Sequence, residues 1–220
     1  MKTEVLLCLS GGMDSATLLY DFQAQGLAVS GIAFNYGQRH QKEIVAAQAV
    51  AVAAGVGCEV VQIPDMARLF GRNALTDRTV SVPHGHYTDS TMKTTVVPNR
   101  NMIFISIAAA HAMANGIGKV AFAAHSGDHT IYPDCRPEFI KALGAAIQLA
   151  DWHPAELIAP FMNLSKTEIC RRGAQLNVPF GLTWSCYEGG ERHCGACGTC
   201  AERREAFIEA GVEDPTEYFT

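Results

Sequence analysis

Two short stretches of this 220-residue chain hold residue types whose spacing could do chemistry. The first is Ser10-Gly11-Gly12-Met13-Asp14-Ser15, which follows an apolar run and opens a run with helical spacing. Two glycines let the backbone turn tightly and approach a ligand with no side chain in the way. A helix starting near Met13 aims its free amides and the positive end of its dipole into that turn. Ser10 and Ser15 add hydroxyl donors, so the joint suits an anion. A plain helix start with Asp14 in its first turn would account for a single Ser/Gly pair, and this joint offers more than a pair. It is not a Walker A loop, since no lysine follows the glycines, and no G-x-G-x-x-G is present.

The second stretch holds Cys186, Cys194, Cys197 and Cys200 in the pattern C-x7-C-x2-C-x2-C, while Cys8, Cys58, Cys135 and Cys170 are isolated. Such uneven spread favours a metal over a disulfide framework, and a chain of this length needs no staples. Two overlapping C-x2-C pairs share Cys197, with Gly195 and Gly198 easing the turns. Four thiolates at ~2.3 Å close a tetrahedral zinc on every side, which is a structural site. An iron–sulfur cluster also takes four cysteines, and spacing does not separate the two. His193 would supply a mixed, open zinc site, a weaker reading. Glycine turns running into a helix with Glu202, Arg203 and Arg204 favour a zinc hairpin that pins a C-terminal tail with little core of its own.

These residues must be positioned by a folded scaffold. Nearly half the chain is apolar, enough for a substantial core, and the net charge of −5 argues against a protein built to coat nucleic acid. The longest apolar stretch, Ile103–Ala114, is too short to span a bilayer, and Val5–Leu9 is too short for a signal peptide. A soluble cytoplasmic protein is expected. Val5–Leu9, Val29–Phe34, Glu59–Ile63 and Val120–Ala124 read as buried strands. Met13–Gln25, Gln41–Ala54, Met102–Ala114, Pro137–Ala150 and Ser165–Leu176 read as helices, with Gly26, Gly55 and Gly116 at C-caps. The alternation implies an α/β fold: a doubly wound, mainly parallel sheet whose ligands bind at the carboxyl ends of strands. Thr76–Pro98 reads as a long loop or inserted hairpin of the kind that is often functional. His125 and His129 are four apart, but on a loop after a strand, so no second metal is assigned; His84 and His86 are left without a role.

The loop "SGGMDS" resembles the S-G-G-x-D-S loop of the PP-loop ATP pyrophosphatases, which hold the β- and γ-phosphates of ATP and transfer AMP to a substrate oxygen. "NLSKTEI" (163–169) agrees, with Lys166 at the position of a phosphate-binding lysine. Joined to the four-cysteine site, and to "FNYGQRHQKE" (34–43), "VVPNRNMIF" (96–104), "HSGDHTIYPDCRPEF" (125–139) and "TWSCY" (183–187), the chain resembles the 7-cyano-7-deazaguanine synthase family over nearly its whole length. Met13 replaces a residue that is commonly polar in that loop.

The resemblance implies a PP-loop domain over 1–180 and a small helical zinc element over 181–220. It implies a ligase that turns 7-carboxy-7-deazaguanine and ammonia into the nitrile in queuosine biosynthesis, consuming ATP with Mg²⁺, as a homodimer without nucleic acid or membrane partners. Leu9, Ser10, Gly11, Gly12, Met13, Asp14, Ser15, Ala16 and Lys166 would bind the nucleotide, with Lys166 and Arg100 offsetting charge at the α-phosphate and Asp14 holding Mg²⁺. Arg39, Asp128, Tyr132, Asp134 and Arg136 would bind the deazaguanine, Asp128 or Asp134 accepting from ring N1–H and the 2-amino group. Ammonia would arrive free or from a partner. Two alternatives remain: a PP-loop tRNA-modifying enzyme, such as a thiolase or lysidine-type ligase, and a zinc-hairpin binding module. The neighbourhood Arg192, His193, Arg203 and Arg204 is balanced by Glu188, Glu191, Glu202 and Glu205, which weakens the second.

Overall fold

A computed structural model describes residues 3–85, 93–130 and 132–219, with the side chains of 129 and 130 not described. Five strands form one parallel sheet: β1 Val5–Cys8, β2 Val29–Asn35, β3 Cys58–Gln62, β4 Lys119–Ala121 and β5 Glu156–Ile158, in the order β3-β2-β1-β4-β5. The chain steps outward from β1 to β3, then crosses to the other side of β1. That reversal opens a crevice beyond the carboxyl ends of β1 and β4.

Strand alternation sends Val5, Leu7 and Leu9 to one face and Leu6 to the other. On the first face they pack against α1 Met13–Ala24, α2 Lys42–Ala53, α6 Lys166–Gln175 and α7 Gly198–Ala210, through Leu18, Phe22, Val50, Ile169 and Phe207. On the second, Leu6, Ile32 and Phe34 meet Ile105 and Ala109 of α4 Arg100–Ala114 and Leu143 and Ile147 of α5 Pro137–Gln148. A short helix, α3 Met66–Leu69, precedes the long loop. Gly26, Gly55 and Gly116 do end helices with positive φ (79°, 70° and 63°).

The doubly wound sheet stands as expected. The strand expected over Val120–Ala124 is shorter, at Lys119–Ala121, although the Phe122 amide still donates to Ile158 O at 3.0 Å. β5 was not anticipated. The loop that begins at Thr76 packs on the cysteine element: Val80 and Val82 join Cys186, Cys197 and Cys200 in one cluster, and Gly85 N donates to Ala196 O at 2.7 Å. His84 is exposed and bonds Glu188 at 3.0 Å, whereas His86 and the side chain of His129 lie outside the described residues. No helix among the described residues is long and apolar enough to cross a membrane.

Residues 181–219 share the main core rather than standing apart, because Ala206 and Phe207 pack with Phe180 and Cys170. Arg203, counted among surface charges in the sequence, is fully buried. Its guanidinium donates to Thr183 Oγ1 (2.7 Å), to Phe180 O (3.1 Å) and to Asp214 Oδ1 (3.2 Å), and stacks over Phe207. A buried guanidinium is tolerated when its donors meet acceptors and its charge meets a carboxylate, and both conditions hold here.

Candidate active site at the carboxyl edge of the sheet

The glycine loop lies directly after β1 and Gly12 is the N-cap of α1. Gly11 takes φ +80°, where a Cβ would overlap the Glu43 carbonyl oxygen and stand 2.8 Å from Ala47 N. The loop backbone therefore rests on α2 at a distance that only glycine allows. Ser10 and Ser15 close the turn from within: their Oγ atoms are 3.0 Å apart, Ser10 N donates to Ser15 Oγ at 3.2 Å, and Ser15 Oγ donates to Gly12 O. The first amides of α1 then face the crevice, which Leu9, Ser10, Gly12, Met13, Asp14 and Ser15 line. Ala16, expected with them, is buried in the core.

Lys166 reaches the same cleft from α6. Its place is fixed by a capping box in which Ser165 Oγ accepts from Glu168 N and Glu168 Oε2 accepts from Ser165 N at 2.7 Å. The ammonium stands 3.6 Å from Asp14 Oδ2 and 3.5 Å from Glu202 Oε2. Burial alone would lower its pKa, but Asp14, Glu202 and Asp128 outweigh that and hold the ammonium charged well beyond the usual lysine range. Asp14 Oδ1 is buried and has no hydrogen-bond partner among the described residues. His125, on the loop after β4, is also buried. Its Nδ1 accepts from Gly127 N at 3.1 Å, and its Nε2, unpartnered among the described residues, faces Asp128 at 3.6 Å and Asp14 at 3.9 Å.

The far side of the cleft is aromatic. Phe34 and Phe104 stack at 4.3 Å, Tyr36 leans on Phe104 at 5.3 Å, and Phe122, Ile32 and Ile105 complete the apolar wall. Arg100, the first residue of α4, donates to Tyr36 OH at 3.4 Å and lies 6.0 Å over the Tyr132 ring, with no ion pair among the described residues. Tyr132 OH meets Tyr187 OH at 3.1 Å.

Of the residues expected at the substrate, Asp128 and Tyr132 line the cleft. Asp134 stands behind it, its carboxylate accepting from Asn101 N at 3.0 Å at the start of α4. Arg39 is turned away and holds the neighbouring loop, donating to Val80 O at 2.9 Å and pairing with Glu188 at 3.8 Å. Arg136 is exposed at the N-cap of α5. The sequence offered no sign that Trp184, Ser185, Tyr187, Thr199 and Glu202 would form a wall of this cleft. Trp184 N donates to Gly11 O at 2.9 Å, so the cysteine element grips the glycine loop itself.

Beneath that wall the four cysteine sulfurs lie within 4.8 Å of one another. A tetrahedron of ~2.3 Å metal–sulfur bonds needs sulfurs about 3.8 Å apart, so the cluster closes on a metal with small side-chain movement. Backbone amides already point at the sulfurs: Cys194 N to Cys186 Sγ at 3.3 Å and Cys197 N to Cys194 Sγ at 3.2 Å. These bonds favour thiolates, and hydrogen bonds from the Cys186 and Cys200 thiols hold Cys197 well below the usual thiol range. His193 is not a ligand. It leans on Trp184 at 4.2 Å and accepts from Ser185 N at 3.0 Å, and burial, with Arg203 nearby, lowers its pKa to about 4.

A family model described as "Queuosine biosynthesis protein QueC" matches residues 4–211. The chain belongs to the QueC family. It is 52% identical to 7-cyano-7-deazaguanine synthase of Caldicellulosiruptor bescii over 98% of this chain and 97% of that one. With the enzyme of that name from Methanoregula boonei it shares 49% over 98% and 99% of the two chains. Among solved structures, NMN synthetase from Francisella tularensis matches with a TM-score of 0.53 at 15% identity, over 96% of this chain and 79% of that one. A predicted subunit of tRNA methyltransferase from Methanocaldococcus jannaschii matches at 0.52 and 16%, over 99% and 92%. At such identity the last two show that this QueC chain shares their fold and nothing more.

Proposed function

We propose that this QueC-family chain is an ATP-dependent ligase that makes 7-cyano-7-deazaguanine from 7-carboxy-7-deazaguanine and ammonia, in queuosine biosynthesis. The observation that carries the reading is the convergence, on one cleft, of the Ser10–Ser15 loop, Lys166 and an aromatic wall, in a chain similar end to end to synthases of that name.

A carboxylate is a poor electrophile because oxide is a poor leaving group. One carboxylate oxygen attacks the α-phosphorus of ATP and pyrophosphate departs, leaving an acyl adenylate. The ammonia lone pair then adds to the acyl carbon, AMP leaves with that oxygen, and a proton is lost to give the amide. The amide oxygen is adenylated in the same way. Departure of AMP with the two remaining N–H protons leaves the C≡N bond.

In this scheme the α1 amides with Ser10 and Ser15 receive the β- and γ-phosphates. Lys166 is the cation available to the charge that builds at the α-phosphorus, with Arg100 on the carboxylate's side of that junction. Asp14 Oδ1, unpartnered among the described residues, is the oxygen open to a phosphate-bound Mg²⁺. Asp128 takes the ring N1–H and 2-amino edge, and Tyr132 lies along the ring. Asp134 and Arg39 act from behind by fixing α4 and the neighbouring loop, and Arg136 at the N-cap of α5 is the remaining cation open to the substrate. Zinc fits Cys186, Cys194, Cys197 and Cys200, whose sulfurs are mutually close and supplied with amide donors. Four thiolates leave no open position, so its part is to hold the Trp184 wall. A cytoplasmic homodimer without nucleic-acid partners completes the proposal.

The test is mass spectrometry of small molecules after incubating the protein with ATP, Mg²⁺, ammonium and 7-carboxy-7-deazaguanine. Nitrile, with amide in passing and AMP rising, is expected. Nucleotide cleavage without the nitrile would move the substrate elsewhere, tRNA being tried next.

A further inference from the structure

Among the described residues, the arginines and lysine held by ion pairs around the cleft and core each face a carboxylate. Lys166 faces Asp14 and Glu202, Arg203 faces Asp214, and Arg39 faces Glu188. Arg100 has only phenols around it, Tyr36 within hydrogen-bond reach and Tyr132 beneath it, and the guanidinium lines the cleft. A guanidinium withdrawn from water without a counter-charge destabilises a fold, so an unpaired one in a cleft is held for an anion that arrives with a ligand.

We propose that Arg100, with Tyr36, is the seat of the carboxylate that the reaction consumes; this rests on the function proposed above. Three features select a carboxylate over the phosphates of ATP. The phosphates already have donors at the glycine loop and Lys166, at the start of α1 and α6. Arg100 begins α4, which packs on the opposite face of the sheet, beside the Phe34–Phe104 stack where a flat heterocycle finds its contact. A carboxylate conjugated to a planar ring is coplanar with it and matches the guanidinium fork with two parallel hydrogen bonds. Tyr36 adds a donor. Its oxygen accepts from Arg100, so its own hydrogen is free to point into the cleft, and burial pushes its pKa up to about 12, which keeps the phenol protonated.

The test compares the acid with its own amide as alternative substrates, because the amide carries no charge. For Arg100→Gln, KM for 7-carboxy-7-deazaguanine is expected to rise by about 100-fold or more, the usual effect of removing one partner of a desolvated charge pair. KM for ATP and KM for the amide should change only several-fold. Arg100→Lys, which keeps the charge and loses the fork, should fall between Arg100→Gln and the natural enzyme on the acid alone. Since no protein ion pair is broken, thermal unfolding of both variants should stay at or above that of the natural protein. A rise in KM for ATP, with acid and amide affected alike, would mean that Arg100 meets phosphate and would overturn the assignment. Failure of both variants to fold would do the same, by making Arg100 a structural residue. Failure of the unmodified enzyme to consume either acid or amide would instead overturn the proposed function and leave the variants unneeded.

Discussion

Adjacent glycines in the phosphate loop should respond to the same substitution in opposite ways. At Gly11 an added methyl group meets the α2 backbone, at the Glu43 carbonyl and Ala47 N, in a residue with φ +80°. Holding an alanine in the left-handed region costs about 1–2 kcal/mol. Forcing a methyl group into packed backbone costs about 1–3 kcal/mol more. Gly11→Ala is thus expected to lose about 2–5 kcal/mol, which in a chain of this length lowers Tm by about 10 °C. Gly12 has φ −77°, and a Cβ there would lie 3.5 Å from Ser10 Oγ and 3.8 Å from Trp184 O, ordinary contacts. Replacing an N-cap glycine by alanine costs well under about 2 kcal/mol, so Tm should fall only a few degrees. Gly12 lines the cleft, so under the proposed function its methyl group stands where phosphate would approach, and KM for ATP should rise steeply. Thermal unfolding followed by circular dichroism, paired with KM for ATP, separates the cases. Equal losses of Tm in the two variants, or a Gly11→Ala protein as stable as the natural one, would refute the claim that the loop rests on α2.

Lys166→Met should lower kcat/KM by about 10²–10³, the scale of losing one charged donor at a developing oxyanion, with little loss of fold because the capping box at Ser165 is untouched; an activity within a few-fold of normal would exclude the lysine from the chemistry. Cys197→Ser should take bound zinc from one per chain to none, read by elemental analysis, and should weaken ATP binding through the Trp184–Gly11 contact; a coloured native protein containing iron would reverse the metal assignment. Burial works against the charge of Asp214, but hydrogen bonds from Tyr218 and Thr216 and the charge of Arg203 outweigh it and depress its pKa. The carboxylate thus contributes stability above the ordinary value of about 3.9, and that stability is lost as pH falls through the folded-state pKa. Asp214→Asn should therefore unfold more easily at neutral pH and show a flatter acid limb in urea titrations, and unchanged curves would count against the Arg203–Asp214 pair.

What could be read in advance was local. β1, the glycine turn and α1 follow one another along the chain, so strand period, turn chemistry and helix period name them together. The cysteine cluster also declares itself within a few residues. β5 escaped because three residues at a sheet edge, Glu156-Leu157-Ile158, carry too short a pattern to distinguish from a loop. The cleft wall escaped for another reason: Trp184 and Glu202 reach the loop only through tertiary packing across most of the chain. Asp134 was expected at the substrate because of its residue type, yet a carboxylate is equally at home on a free amide in the first turn of a helix, as its bond to Asn101 N illustrates. Arg203 looked like a surface charge because its sequence neighbours are charged, and only the paths of 180–185 and 214 around it reveal a buried anchor.

The Trp184–Gly11 hydrogen bond joins the glycine turn to a segment made much later along the chain. During synthesis the glycine turn and α1 emerge long before their covering wall, and the cleft's apolar floor stays open until residues near 202 are free of the exit tunnel. Contacts so distant in sequence carry a large loop-closure entropy and form late. A nascent chain of this protein should therefore acquire nucleotide affinity abruptly once residues 184–202 have emerged. Ribosomes arrested shortly before and shortly after the Cys194–Cys200 segment emerges would display that transition directly.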